Sequence, residues 1–93
     1  MSDKHGNARK GLMANTALLV GAGVLLAVTS IAEITTGSKA LGIISLVVGA
    51  GGALPNVLGA WKSFSNLEYG ETMKKGVIAW LVPTGMALLN LAF

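Results

Sequence analysis

The residues of this 93-residue chain that could carry out chemistry are few and far apart. Cysteine is absent, which excludes a disulfide, a thiolate metal site and a cysteine nucleophile. The single histidine, His5, lies in a polar N-terminal stretch, where a solvated side chain is expected rather than a metal ligand. The Gly21-Ala22-Gly23 run lacks the preceding strand and the third glycine of a dinucleotide site. The sequence also has no paired carboxylates. It therefore predicts a protein that is not an enzyme, with no metal, cofactor or small-molecule substrate.

The composition indicates which elements carry these residues. Hydrophobic residues make up 53% of the chain and charged residues 12%, whereas about 25% are charged in an ordinary soluble domain. Charges are missing from residues 11–32, 40–61 and 76–93, and each gap is close to the roughly 20 residues that cross a bilayer as a helix. These runs are too long for barrel strands and do not alternate. We predict an all-α membrane protein with helices at about 12–33, 39–61 and 76–93, the last two forming a helical hairpin.

The segments outside these runs are too short for a second hydrophobic core, so residues 1–93 are expected to form one small membrane domain. Residues 1–11 are predicted to be a polar arm, because Gly6 and Asn7 oppose helix formation. Gly37 and Ser38 are typical of a turn followed by a helix cap. Residues 62–75 are predicted to be a basic loop.

The distribution of basic residues predicts the orientation in the membrane. With a cytoplasmic N-terminus and an outer C-terminus, Lys39 alone lies outside. The basic residues on the cytoplasmic side are then Lys4, Arg9, Lys10, Lys62, Lys74 and Lys75. The basic loop, with Lys62, Lys74 and Lys75, would contact headgroups or line a lumen.

The first apolar run also fits a secretory signal. A basic start up to Lys10 is followed by an apolar stretch, with Ser30 and Ala32 before a potential cleavage point. The apolar stretch is longer than the usual signal core of about 7–15 residues, which favours retention of the first helix. Cleavage after Ala32 would leave a two-helix hairpin.

Small residues recur on single faces of the predicted helices. In lipid, helices associate where small residues let the backbones approach closely. The predicted packing interface comprises Ala17, Gly21, Gly23, Ala27, Ser45, Gly49, Gly51, Gly52 and Ala53. We expect a homo-oligomer, in which Gly49→Leu or Gly51→Leu prevents assembly without preventing membrane insertion.

Proline and asparagine residues interrupt the apolar runs. Pro55 removes an amide donor and crowds the carbonyl of Gly51, which predicts a kink or break near residues 51–56. Pro83 is expected to kink the third helix in the same way. Asn56 and Asn90 are expected to form hydrogen bonds across helices.

The region from Lys39 to Phe93 resembles the pilins of conjugation and type IV secretion systems. The resemblance lies in two late apolar helices rich in Gly and Ala, joined by a basic stretch from Trp61-Lys62 to Lys74-Lys75-Gly76. It implies a helical filament of one repeated subunit with the basic stretch facing a lumen that carries DNA or protein cargo, and phospholipid bound between subunits. The predicted loop is longer than the few residues usual in that family.

Two other classes of protein fit the same composition. A holin-like pore former is also small and self-associating, although such proteins usually end in a basic tail and this chain ends in Leu91-Ala92-Phe93. An accessory subunit of a larger membrane complex would need no self-assembly.

Overall fold

The computed structural model describes residues 4–92, which fold into three helices. They are α1 (Lys4–Thr36), α2 (Lys39–Ser65) and α3 (Tyr69–Ala92), and no strand occurs among the described residues. Each helix is long and apolar enough to cross a membrane. The predicted all-α fold of three helices with a final hairpin is confirmed, and it is compatible with an integral membrane protein.

All three helices extend beyond the predicted boundaries. α1 begins at Lys4 rather than near residue 12, and the loop predicted at 62–75 is wrong, because only residues 66–68 separate α2 from α3. Charged residues mark where a chain leaves hydrocarbon, and a helix can continue past that point into water. The 33 residues of α1 span about 50 Å, against about 30 Å for a hydrocarbon core. The molecule is accordingly 55 Å long.

The described part of the predicted polar arm is helical. Gly6 and Asn7 have low helix propensity, but the first turns of α1 pack on the start of α3. His5 Nδ1 lies 3.0 Å from the Tyr69 hydroxyl, and the imidazole centroid lies 4.8 Å from that of Phe64. These tertiary contacts outweigh the local propensity. The arm's residues 1–3, and residue 93 of the third predicted helix, lie outside the described residues.

The turn between α1 and α2 confirms the predicted cap. Ser38 has an extended backbone, with φ −86° and ψ 108°, and its hydroxyl accepts a hydrogen bond from the Leu41 amide at 3.2 Å. Glu33 near the end of α1 accepts a hydrogen bond from the Ser38 amide at 2.9 Å. The side chains of Glu33 in α1 and of the cap residue Ser38 thus satisfy backbone donors at the start of α2.

The turn between α2 and α3 ends α2 through a left-handed residue. Leu67 has φ 62°, and the amides of Leu67 and Glu68 donate to the carbonyls of Phe64 and Ser63 at 3.0 and 2.8 Å. This pair of bonds forms a Schellman motif, in which glycine normally occupies the left-handed position. Because leucine occupies that position here, this turn has no glycine that would have predicted it.

Neither proline interrupts its helix. α2 continues through Pro55 and α3 through Pro83, so the predicted break near residues 51–56 is absent. The Asn56 side chain donates to the Gly52 carbonyl at 2.6 Å, and the Thr84 hydroxyl donates to the Trp80 carbonyl at 2.7 Å. In each helix, the residue after the proline thus donates a side-chain hydrogen bond to the carbonyl four residues before it. A bend without a break stays a prediction.

The centre of the bundle is built from small and polar side chains, and every pair of helices is in contact. Most large aliphatic side chains point outward; Val20, Val47 and Leu58 are all more than 60% exposed. This distribution suits lipid, where burying leucine against leucine gains little and close backbone approach gains more. The buried alanines are Ala22, Ala53, Ala60, Ala79 and Ala87.

Candidate functional site: small-residue faces and the basic end

The predicted packing residues of α2 lie mostly inside the bundle. Ser45, Gly49 and Ala53 are buried. A Cβ at Gly49 would collide with the Leu26 side chain of α1, and a Cβ at Gly52 would lie 2.5 Å from a methyl group of Val82. The small residues on this face let α1 and α3 approach α2 closely, so they are already in contact within one chain.

The predicted packing residues of α1 remain largely open. Ala17 and Gly21 are exposed, and Gly23 and Ala27 are half-buried. A Cβ built at Gly21 or Gly23 would meet no atom within 4 Å, and the same holds for the exposed Gly51 of α2. These glycines are not required for close packing within the chain.

Two apolar grooves flank α1. The groove between α1 and α3 has a volume of about 710 Å³ and is lined by Ala17, Gly21 and Trp80, among others. A second groove, of about 290 Å³, lies against Gly23 and Leu54. The predicted α1 interface therefore forms the border of two open grooves.

A buried polar cluster connects all three helices near the end of α3. The Asn90 amide group donates to Thr29 Oγ1 at 3.1 Å and to Ser30 Oγ at 3.0 Å. Ser45 Oγ donates to the Gly42 carbonyl, so the bond between the two serines requires Ser30 as its donor. Asn90 therefore bonds across helices as expected, whereas Asn56 bonds within its own helix.

The Asn90 cluster leaves one acceptor without a partner. Thr29 donates its hydroxyl to backbone carbonyls of α1 and Ser30 donates to Ser45, so both hydroxyls can only accept from Asn90. The amide nitrogen of Asn90 must face them, which leaves its Oδ1 buried without a hydrogen bond. The cluster thus fixes the orientation of the Asn90 amide group and leaves its Oδ1 without a hydrogen bond.

A second polar cluster joins α1 to α3 nearer the other end. Trp80 Nε1 donates to Asn15 Oδ1 at 2.9 Å, and Asn15 Nδ2 lies 3.4 Å from Met73 Sδ. A Cβ at Gly76 would lie 2.8 Å from that Asn15 nitrogen. Gly76 thus provides space for a buried asparagine that holds α1 against α3.

The three lysines predicted to contact headgroups or line a lumen do not share one environment. Lys62 and Lys74 are exposed, whereas Lys75 is half-buried and donates to Ser63 Oγ at 3.2 Å. The helical start of α1 brings further basic residues to this end of the bundle. We define the basic end by its exposed cations, Lys4, Arg9, Lys10, Lys62 and Lys74.

Among residues 4–92, no three His, Asp or Glu side chains are grouped so that they could hold a metal ion. Comparisons with protein-family models, curated proteins and solved structures find no match to this chain. The fold places the chain in the class of small helical membrane proteins. The features of this chain that could mediate contacts are the open small-residue faces and the basic end.

Proposed function

We propose that this chain is a small, non-enzymatic membrane subunit that self-associates through its Gly- and Ala-rich helices, and specifically a pilin-like subunit of a conjugation or type IV secretion-type filament. The observation that carries the proposal is the open space beside Ala17, Gly21 and Gly51 after the bundle has closed. Small residues in a membrane helix favour close backbone approach, and within residues 4–92 a Cβ at Gly21 or Gly51 would meet no other helix within 4 Å.

The turn between α2 and α3 supports the pilin-like part of the proposal. Residues 66–68 form a connection of the few residues that the resemblance implies, in place of the long loop predicted from the charges. The last turns of α2 and the first turns of α3 carry the charged residues on either side of this connection, so the basic residues lie on helix ends. Such an arrangement suits a rigid basic surface better than a flexible one.

The lysines on either side of the turn between α2 and α3 have different roles. In the proposed assembly Lys62 and Lys74 face an anionic cargo or lipid headgroups, because both side chains are exposed. Lys75 instead holds the start of α3 against α2 through Ser63. Lys4, Arg9 and Lys10 add to the positive surface that faces the lumen.

The proposed subunit keeps α1. Removing residues 1–32 would take away Thr29 and Ser30, the partners of the Asn90 amide, and Asn15, the partner of Trp80. A buried polar group left without a partner in hydrocarbon costs several kcal/mol, or about 2 kcal/mol or more for an amide. This favours retention of the first helix over its cleavage as a signal.

Electron microscopy of native material, paired with intact mass, tests the proposal. We expect filaments of uniform width built from a subunit that retains residues 1–32. Gly21→Leu should reduce assembly several-fold because it fills an open small-residue face. Val20→Leu is the matched control, since Val20 is 64% exposed on the same helix and already carries a large side chain.

Discrete particles containing other proteins would contradict the proposal and point to an accessory subunit. Lethal membrane lesions on expression, without filaments, would point to a pore former of the holin type. Normal assembly of Gly21→Leu would show that the open face of α1 has no part in association.

A further inference from the structure

Four of the glycines with open space beside them form a belt around the bundle. A Cβ would meet no atom within 4 Å at Gly21 and Gly23 of α1, at Gly51 of α2 and at Gly85 of α3. Gly85 was not among the residues singled out from the sequence. Each helix therefore has at least one glycine of this kind within its apolar run, and we call these four residues the glycine belt.

Contacts between the helices place the glycine belt at one depth. Opposed residues of α1 and α3 differ by about 61 in number, as in the contacts of Asn90 with Thr29 and of Gly76 with Asn15. This offset places Gly85 level with residue 24 of α1. Gly21 is then about 4.5 Å away along the helix axis, and Gly23 is closer.

The pairing of the antiparallel helices α1 and α2 gives the same depth for the belt glycine of α2. Ser30 lies opposite Ser45, and Leu26 lies opposite Gly49. Continuing this pairing places Gly51 level with residue 24 as well. Copies of a membrane protein share one orientation and one depth, so side-by-side contact between copies brings members of the belt together.

Charges distinguish the two faces that α1 of one copy could meet. Arg9 and Lys10 of α1 are exposed, and the offset between α1 and α3 places Glu71 level with residue 10. Glu71 is exposed in the first turns of α3, close to a second acid, Glu68. The corresponding end of α2 carries exposed Lys62, level with residue 13, and α2 contains no acidic residue that could face Arg9 and Lys10.

We propose that a second copy of this chain docks the α1 face that carries Gly21 against the α3 face that carries Gly85, with Arg9 and Lys10 beside Glu71. This inference rests on the proposed self-association and names its surfaces. The charges select the partner face and add little affinity, since exposed ion pairs are weak. Lys74 of α3 and Lys62 of α2 both lie level with Met13, one turn deeper than Lys10, so Glu71 is the residue that distinguishes the two faces. Because the two faces differ, the contact is heterologous and repeats into a ring or a filament.

Single-cysteine variants test the docking, because the chain contains no cysteine. Val28 of α1, Leu88 of α3 and Val47 of α2 are each more than half exposed, and the helix pairings place them at nearly one depth. Val28→Cys is co-expressed with Leu88→Cys or with Val47→Cys, using tags of different mass, and treated with a short thiol cross-linker in native membranes. Only contacts between copies can be captured in this way.

We expect the Val28→Cys and Leu88→Cys pair to give several-fold more mixed dimer than the Val28→Cys and Val47→Cys pair. Glu71→Lys in the Leu88→Cys chain should lower that yield several-fold, and adding Arg9→Glu and Lys10→Glu to the Val28→Cys chain should restore it. A larger yield from the α2 pair, or from Val28→Cys with itself, would overturn the docking while leaving self-association in place. A monomer by size in the membrane extract would overturn both.

Discussion

Two sets of small residues in this chain have opposite environments. The set on α2, Ser45, Gly49 and Ala53, is buried against Leu26 and other side chains of the same chain. The other set, the glycine belt, has open space beside each member. The same residue types therefore serve two purposes, because a small residue allows close approach on any face and the bundle uses only the inner faces.

The largest effect is expected where the inner set is disturbed. Gly49→Leu would place a side chain where Leu26 already lies, and we expect the free energy of unfolding to fall by about 3 kcal/mol. Reversible unfolding in mixed micelles measures this change. The expectation that Gly49→Leu would affect assembly alone is thereby replaced, because the residue lies within the fold.

Gly51→Leu is the matched control for Gly49→Leu, because Gly51 lies on the same helix with open space beside it. Its unfolding free energy should stay unchanged, and assembly should be affected less than by Gly21→Leu, because the proposed docking uses α1 and α3 rather than α2. Equal destabilisation by both variants would remove the distinction between the inner and outer sets.

A smaller effect is expected for the polar cluster that closes the inner face. Asn90→Ala removes both hydrogen bonds from α3 to α1, and we expect a loss of about 1 kcal/mol, since such bonds in membranes average about 0.6 kcal/mol each. Asn56→Ala removes only a bond within α2 and should change the unfolding free energy less. A larger loss for Asn56→Ala would contradict the assignment of Asn90 as the residue that joins the helices.

The smallest effect is expected at the turn between α2 and α3, which belongs neither to the buried set of small residues nor to the glycine belt. Leu67→Gly relieves a left-handed leucine, and we expect stability to rise by about 0.5 kcal/mol, because the gain is partly offset by the greater freedom of glycine in the unfolded chain. The same unfolding titration measures it, with assembly unchanged. Leu67→Ala is the control: it retains the left-handed strain and should give no such rise. A decrease for Leu67→Gly would mean that the leucine side chain stabilises the turn.

The sequence predicted the number and type of elements well but their ends poorly. Three uncharged runs gave three helices because the bilayer requires about 20 apolar residues per crossing. The loop predicted from the charged stretch 62–75 was wrong. Lys62 follows the second apolar run and Lys74 precedes the third, but neither lysine interrupts its helix. The cap at Ser38 was predictable because hydroxyl capping is a local interaction.

The candidate surfaces were only partly predictable for a similar reason. Spacing along one helix identified Gly21, Gly49 and Gly51 as small residues on helical faces. It could not distinguish Gly49, which packs on Leu26, from Gly51, which has open space, because that difference depends on which faces the other helices cover. Gly85 gave no sequence signal, since its role in the belt depends on its depth relative to α1 and α2.

Composition and charge spacing were sufficient to establish three apolar helices, a polar end rich in Lys and Arg, and a turn at Gly37 and Ser38. These properties follow from local chemistry and from the thickness of the bilayer. Helix packing determined the rest: the helical start of α1 on Phe64 and Tyr69, the Asn90 cluster, and the division of the glycines into inner and outer sets. These features depend on contacts between different helices, such as Gly49 with Leu26 and His5 with Tyr69, and no local pattern encodes such contacts.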